Sequence, residues 1–233
     1  MISTKTISIV APAINEAKTI GKVINDIPKR ELSKMGYNCE IIVVNTKSTD
    51  GTPDIARKLG ARVIDENRRG YGRAYMTGFK AAKGQYLAMI DADRTYDAND
   101  LPKMLKEMED KRADMVLGSR FKGSMEKGAM PFVNLIGNMF LTGLVDLLYL
   151  VPLSDTHSGI RVFKKSTYNS LGMKCTGMDF ASELLLRSIR KGLKIVEIPI
   201  NYRRRIAGNK KLKVIRDGFG HFKLIICFRL GRE

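Results

Sequence analysis

An α/β fold with a parallel sheet is what this sequence predicts, on three observations. Apolar runs rich in Ile and Val alternate with helical stretches through the first half of the chain, as parallel strands joined by crossover helices do. Several of these runs stop abruptly in polar or acidic loops. With 233 residues, 44% of them hydrophobic, the chain can fill one large core.

The elements follow in order. Residues 6–11 form a buried strand that Pro12 stops, and Asn15 can cap a helix over 16–27. Residues 40–45 form a second strand. It ends at Asn45-Thr46-Lys47-Ser48-Thr49-Asp50-Gly51-Thr52, a polar loop with capping side chains and a glycine suited to positive φ. A helix over 52–59, a short strand over 62–65, a helix over 72–82, a strand over 86–90, a helix over 101–111 and a strand over 115–118 continue the alternation. Beyond Gly118 the rhythm changes: a basic loop over 121–129, an apolar helical stretch over 132–153, a loop over 154–159, a helix over 180–191 and a strand over 194–200. A basic turn over 203–211 leads to a last helix, on which Val214, Ile215, Phe219, Phe222, Ile225 and Ile226 recur at near-helical spacing. The expected organisation is one domain over 1–211 with an amphipathic helical extension over 212–233.

Three cysteines, Cys39, Cys175 and Cys227, are odd in number and far apart, which argues against a disulfide framework or a zinc ribbon. A net charge of +17 implies an anionic partner: nucleic acid, anionic lipid or a phosphorylated substrate. Solvated basic faces are the alternative for most of these charges. No signal-peptide pattern precedes the first strand, and Asn134, Asn138 and Asp146 make the long apolar stretch too polar for a comfortable membrane span. Helices lying on a membrane surface, or packed on the domain, fit it equally.

The most informative stretch is Gln85 to Asp93, an apolar strand ending in Asp91-Ala92-Asp93. Residues i and i+2 of an extended segment point the same way, so the two carboxylates can converge on one hard divalent cation, at the sheet edge where open α/β sheets bind ligands. A solvated turn is the alternative. Three polar strand ends along one edge favour the metal site.

Pro12-Ala13-Ile14-Asn15-Glu16, Ser48-Thr49-Asp50-Gly51-Thr52, Arg69-Gly70-Tyr71-Gly72-Arg73, Asp91-Ala92-Asp93 and Gly118-Ser119-Arg120-Phe121 stand in the order and spacing of glycosyltransferase family 2. The sequence resembles most the polyprenyl-phosphate branch, the dolichol-phosphate mannose and glucose synthases. Asp155-Thr156-His157-Ser158-Gly159-Ile160-Arg161 and Arg205-Ile206-Ala207-Gly208-Asn209-Lys210-Lys211 carry the resemblance through nearly the whole chain.

The resemblance implies a GT-A, Rossmann-like sheet that binds a nucleotide sugar, with acceptor-side and C-terminal amphipathic helices. By matching positions Pro12, Ile14, Glu16 and Asn45 line the base and ribose pocket, and Gly70 and Gly72 belong to the substrate-binding loop. Asp91 and Asp93, with Thr95, hold Mg²⁺ or Mn²⁺ against the diphosphate. Two positions depart from the pattern: Ile14 stands where Tyr is frequent, and Asn45 where an Asp usually accepts from the base.

Sugar transfer builds negative charge on the leaving diphosphate, which a divalent ion stabilises. The acceptor must be nucleophilic. A polyprenyl phosphate is already ionised and needs positioning, for which Arg120, Arg205 and Lys211 are the matching cations. If a base is required, Asp155, His157 and Glu183 are the candidates. The expectation is a metal-dependent inverting transferase, peripheral on the cytoplasmic face of a membrane, taking a GDP- or UDP-hexose and a polyprenyl (dolichyl) phosphate. The competing readings are the same donor chemistry on a soluble phosphorylated acid or a glycan, and a non-enzymatic basic binder of nucleic acid or anionic membrane. The paired carboxylates argue against the last, so no nucleic-acid partner is expected.

Overall fold

The computed structural model describes residues 5–206 and 214–232. Its strands are β1 (Lys5–Ala13), β2 (Tyr37–Asn45), β3 (Arg62–Asp65), β4 (Tyr86–Met89), β5 (Met115–Met125), β6 (Arg161–Lys164) and β7 (Ile195–Tyr202). Its helices are α1 (Ile20–Asp26), α2 (Lys29–Lys34), α3 (Thr52–Lys58), α4 (Tyr71–Ala81), α5 (Leu101–Asp110), α6 (Phe132–Tyr149), α7 (Lys165–Leu171), α8 (Phe180–Arg190) and α9 (Val214–Arg229). The strands lie side by side as β3-β2-β1-β4-β6-β5-β7.

Strand alternation builds two cores. Ile7, Ile9 and Ala11 of β1, with Ile41 and Val43 of β2, face α1, α2, α3 and α5, whose Ile20, Val23, Leu32, Ala56, Leu101, Met104 and Leu105 are buried against them. Val10, Ile42 and Val44 face the other way, onto Ala74, Tyr75 and Phe79 of α4 and, further along the sheet, Phe180, Leu184 and Leu185 of α8. Because β3, β2, β1 and β4 are mutually parallel, their C-terminal ends share one edge. That is the edge the three polar loops led us to expect.

The strands expected from sequence all run parallel to one another, and the sheet is mixed only because a strand not foreseen, β6, runs antiparallel between β4 and β5. Its core, Val162-Phe163, is too short to signal a strand alone. The ladder of β1 to β2 continues through Pro12 opposite Val44 and Ala13 opposite Asn45, whereas pairing to β4 stops at Val10 opposite Met89. A proline is tolerated where only one neighbour remains. Strand β5 runs to Met125, across much of the expected loop. Gly118 and Gly123 let Ile200 of β7 lie against it, and a Cβ on Gly123 would stand 1.8 Å from the Ile200 carbonyl oxygen.

The long apolar stretch is a single helix, α6, of 18 residues with mean hydropathy 1.4, long and apolar enough by length and composition to cross a membrane. The sequence alone made it look too polar. Its Leu141 and Val145 pack with Leu186 of α8 and Ile225 and Phe228 of α9. Tyr149 donates to the Ile225 carbonyl at 2.8 Å. The opposite side is bare: Phe132 is 71% exposed, Phe140 61% and Leu147 72%, and Phe219 of α9 is 67% exposed.

Helix α4 sits on the sheet through Gly78, where an added Cβ would lie 2.4 Å from Val10 Cγ1 and 3.0 Å from Val44 Cγ2. Alanine favours a helix over glycine by about 1 kcal/mol, but overpacking costs about 1–3 kcal/mol. Gly78→Ala is therefore expected to lower the urea midpoint. A raised midpoint would show that α4 does not seat as closely as described.

Candidate active site

A cleft of ≈ 590 Å³ opens along the shared strand edge. Pro12, Ala13, Ile14, Glu16 and Thr46 line one end, and Asp91, Asp93, Thr95 and Tyr96 also line it. The loops after β1 and β2 brace one another. Asn15, at φ 54, donates its N–H to Ser48 Oγ at 3.0 Å, and its Oδ1 accepts from the Thr49 N–H at 2.8 Å. The Glu16 and Ala17 N–H groups donate to Thr52 Oγ1 and Asp50 Oδ2. Asn15 thus ties two loops together instead of capping α1, which begins only at Ile20.

Asp91 and Asp93 lie just past the end of β4, in a turn where Arg94 has φ 66. They meet there through the turn and not through strand alternation. Asp91 Oδ1 accepts from the Tyr71 hydroxyl at 3.0 Å and the Tyr75 hydroxyl at 3.4 Å. Asp93 Oδ1 accepts from the Thr95 N–H at 3.0 Å and its hydroxyl at 2.7 Å, and Oδ2 pairs with Arg205. The other cationic nitrogen of Arg205 lies 3.8 Å from Glu16 Oε1. Burial first, and then the neighbouring Asp93 charge, push the Asp91 carboxyl up to about 7 despite the tyrosine hydroxyls and Arg205.

Two carboxylates that resist joint ionisation fit a divalent cation. Among the described residues no third Asp, Glu, His or Cys joins them in a metal cluster. Two carboxylates leave coordination positions for phosphate and water, as Mg²⁺ and Mn²⁺ sites do. Thr95 also lines the cleft, and its N–H and hydroxyl orient Asp93. A Cβ on Gly159 would come within 2.9 Å of Asp91 Oδ2, so any side chain there would press on that carboxylate.

Arg120 enters the cleft wall on a buried clamp. Its Nε and NH2 donate to the two oxygens of Asp155 at 2.7 Å each, its N–H donates at 3.0 Å, and its guanidinium lies over the Tyr202 ring. Asp155 is fully buried behind it, outside the cleft wall, so its part is to position Arg120. Arg161, also fully buried, donates to the carbonyls of Ser158, Ala181 and Thr156 and so sets the loop that carries Asp155 and His157.

The structure moves other expected residues out of the cleft wall. Glu183 accepts from the N–H groups of Lys174 and Cys175 and from Arg187, is 1% exposed, and does not reach the cleft. It shapes a loop and is not placed to act as a base. Asn45 lies beside the cleft with Nδ2 donating to Asp65 at 2.7 Å and Oδ1 accepting from the Ser48 N–H, so its amide is spent on the loop. Gly70 lines the cleft, whereas Gly72 packs under Phe180. Lys211 lies outside the described residues.

His157 does line the cleft, with Nδ1 sharing a hydrogen bond with Thr156 Oγ1 at 2.8 Å and its ring edge-on to His221 of α9, 4.9 Å between centroids. Burial, then His221 and two arginines, hold His157 well below the ordinary histidine value. Tyr96, Tyr202 and His221 also line the cleft and were not singled out from sequence, while Arg69 and Tyr71 stood there only within the glycine loop and Asn134 and Asn138 only as polar breaks in the apolar stretch. Tyrosines of the alternating helices look like core until the fold turns their hydroxyls to Asp91.

Residues 8–172 match the family model described as Glycosyl transferase family 2. The low-salt glycan biosynthesis hexosyltransferase Agl6 of Haloferax volcanii is 39% identical over 95% of this chain, which spans about half (53%) of that protein. The dolichyl-phosphate hexose transferase of the same organism is 34% identical over 94% of this chain and 92% of its own length. The crystal structure of glucosyl-3-phosphoglycerate synthase from Mycobacterium tuberculosis in complex with Mn²⁺, uridine-diphosphate and glucosyl-3-phosphoglycerate superposes with a TM-score of 0.72 at 24% identity, covering 98% of this chain and 80% of that one. At that identity the likeness is one of fold.

Two outcomes are expected. Asp155→Ala leaves Arg120 buried and unpaired, at a cost of about 3–5 kcal/mol in denaturant unfolding. A loss below ~1 kcal/mol would mean that water reaches Arg120. The second concerns pH. Because the folded chain keeps His157 neutral, protons bind the unfolded chain preferentially as pH falls through the ordinary histidine value, and stability drops. Between pH 7.5 and 5.5 His157→Gln should lose about 1.4 kcal/mol less than the native chain. Equal losses would contradict the buried, neutral imidazole.

Proposed function

The chain belongs to glycosyl transferase family 2, and from that premise we propose that it moves a hexose, glucose or mannose, from a UDP- or GDP-sugar to a polyprenyl (dolichyl) phosphate at a membrane surface, with inversion and with Mg²⁺ or Mn²⁺. Its fold is GT-A, with the sheet flanked by helices on both faces. The observation that carries the reading is one continuous cleft. It runs from the β1 and β2 ends, past Asp91 and Asp93, to a largely apolar wall on the inner side of α6 and α9. The outer side of those helices is the bare apolar face. A relative bearing the name dolichyl-phosphate hexose transferase supports the acceptor class.

Pro12, Ile14, Glu16 and Thr46 flank the nucleoside. Asp91 and Asp93 hold the divalent ion, with Tyr71, Tyr75 and Thr95 fixing their orientation. When bound, the ion supplies Lewis-acid stabilisation of the leaving diphosphate. Arg120, rigid on Asp155, positions the acceptor phosphate, and Arg205 adds a second cation beside Asp93. An ionised phosphate needs no proton removed, which agrees with Asp155 and Glu183 both being fully committed to other bonds. Exposed Phe132, Phe140, Leu147 and Phe219 rest in the lipid interface, under a net charge of +17 that draws the protein to anionic headgroups.

The test is transfer of label from UDP- and GDP-hexoses to short-chain polyprenyl phosphate in anionic vesicles, with Mn²⁺. Replacing both Asp91 and Asp93 by Ala should reduce transfer by at least ~10³-fold, several kcal/mol of lost metal stabilisation. Activity retained in that double variant would refute the metal site, and no transfer by the native chain to any polyprenyl phosphate would refute the acceptor.

A further inference from the structure

The carboxylate pair divides the cleft. With the nucleoside over Pro12, Ile14 and Glu16 and the diphosphate at Asp91 and Asp93, the hexose beyond the outer phosphate must extend the other way. There the wall is mostly small or apolar, with Met130, Pro131, Gly137, Leu141 and Ala181, and its polar groups are few. We propose that Asn134 and Asn138 of α6 and His157 are the hexose-reading groups, binding the sugar's hydroxyls and setting which epimer is accepted. This rests on the hexose-transfer reading above and deepens it.

Three features carry the assignment. Asn134 Oδ1 and His157 Nε2 are buried atoms with no hydrogen-bond partner among the described residues. Among the described residues Asn138 Nδ2 has only the Met130 thioether, 3.5 Å away, a weak acceptor. Buried polar atoms without partners are uncommon and call for an explanation. The groups are also mounted on one frame. Asn134, Asn138 and Thr142 recur every four residues along one face of α6. Thr142 Oγ1 lies 3.0 Å from Thr156 Oγ1, which is bonded in turn to His157 Nδ1.

The chemistry selects a hydroxyl over a phosphate. Amide and imidazole are uncharged and offer donors and acceptors together, matching a hydroxyl, which does both. A phosphate only accepts and is better served by the cleft's arginines, Arg120 held on Asp155 and Arg205 paired with Asp93. Burial keeps His157 neutral, which suits the same role.

The test is titration calorimetry with Mn²⁺ on the native chain, Asn134→Ala and His157→Asn, using UDP, GDP and their glucose and mannose conjugates. Asn134 is only half-buried on α6 and alanine favours helix, so that variant should fold even if His157→Asn does not. Expected for each variant is a nucleoside-diphosphate affinity within about two-fold of native, a nucleotide-hexose affinity about 5–10-fold weaker, and a smaller preference between the two hexoses. Native affinity and preference in Asn134→Ala would overturn the proposal, as would equal weakening for the nucleoside diphosphate and its hexose conjugate. If the native chain transfers hexose and the variants discriminate as well as it does, only the wall assignment falls. If the native chain binds no nucleotide-hexose, the transferase reading falls and takes the wall with it.

Discussion

Two carboxylates forced into one turn are the constraint around which the cleft is arranged. Asp91 and Asp93 repel each other in a partly dry place, and burial together with that repulsion raises the Asp91 carboxyl to about 7. What surrounds them acts on that strain. Tyr71 and Tyr75 of α4 donate to Asp91, Thr95 donates to Asp93, and Arg205 supplies a cation. These donors come from three separate stretches of chain. The turn can therefore keep its shape only where α4, the β4 end and the segment after β7 are all in place.

The same economy governs the arginines. Arg120 is oriented by Asp155 and Tyr202, and Arg161 is spent on two carbonyls of the loop that carries Asp155 and on the Ala181 carbonyl of α8. A buried ion pair of this kind contributes little net stability, but it fixes a forked donor in one direction. Positioning of an acceptor needs that. The helices α6 and α9 have a double task, one side completing the cleft and the third core, the other left apolar and bare.

Legibility differed along the chain for physical reasons. Strands over 62–65 and 86–90 and helices over 72–82 and 101–111 were readable because each has its own apolar period and ends in its own loop. Strand β6, helix α7 and the far half of β5 were not. Their stability comes from neighbours distant in sequence, Met115 against Phe163 and Ser124 against Asn201, and not from any local period. Asp91, Asp93 and Arg120, which line the cleft, were named from motif order. Asn134, Asn138 and His221 sit in helices whose apolar residues dominate any reading of the pattern.

Sequence by itself determined the alternating α/β order, the acidic strand end and the edge on which the polar loops gather, since these follow from local period and from the geometry of parallel crossovers. Tertiary structure alone decided what each polar side chain does. Glu183 and Asp155 are carboxylates of the same kind as Asp91, yet one closes a loop, one steers an arginine and one faces the cleft. That difference lies in which donors the fold brings within 3 Å or so of each oxygen, and spacing along the chain carries no record of it.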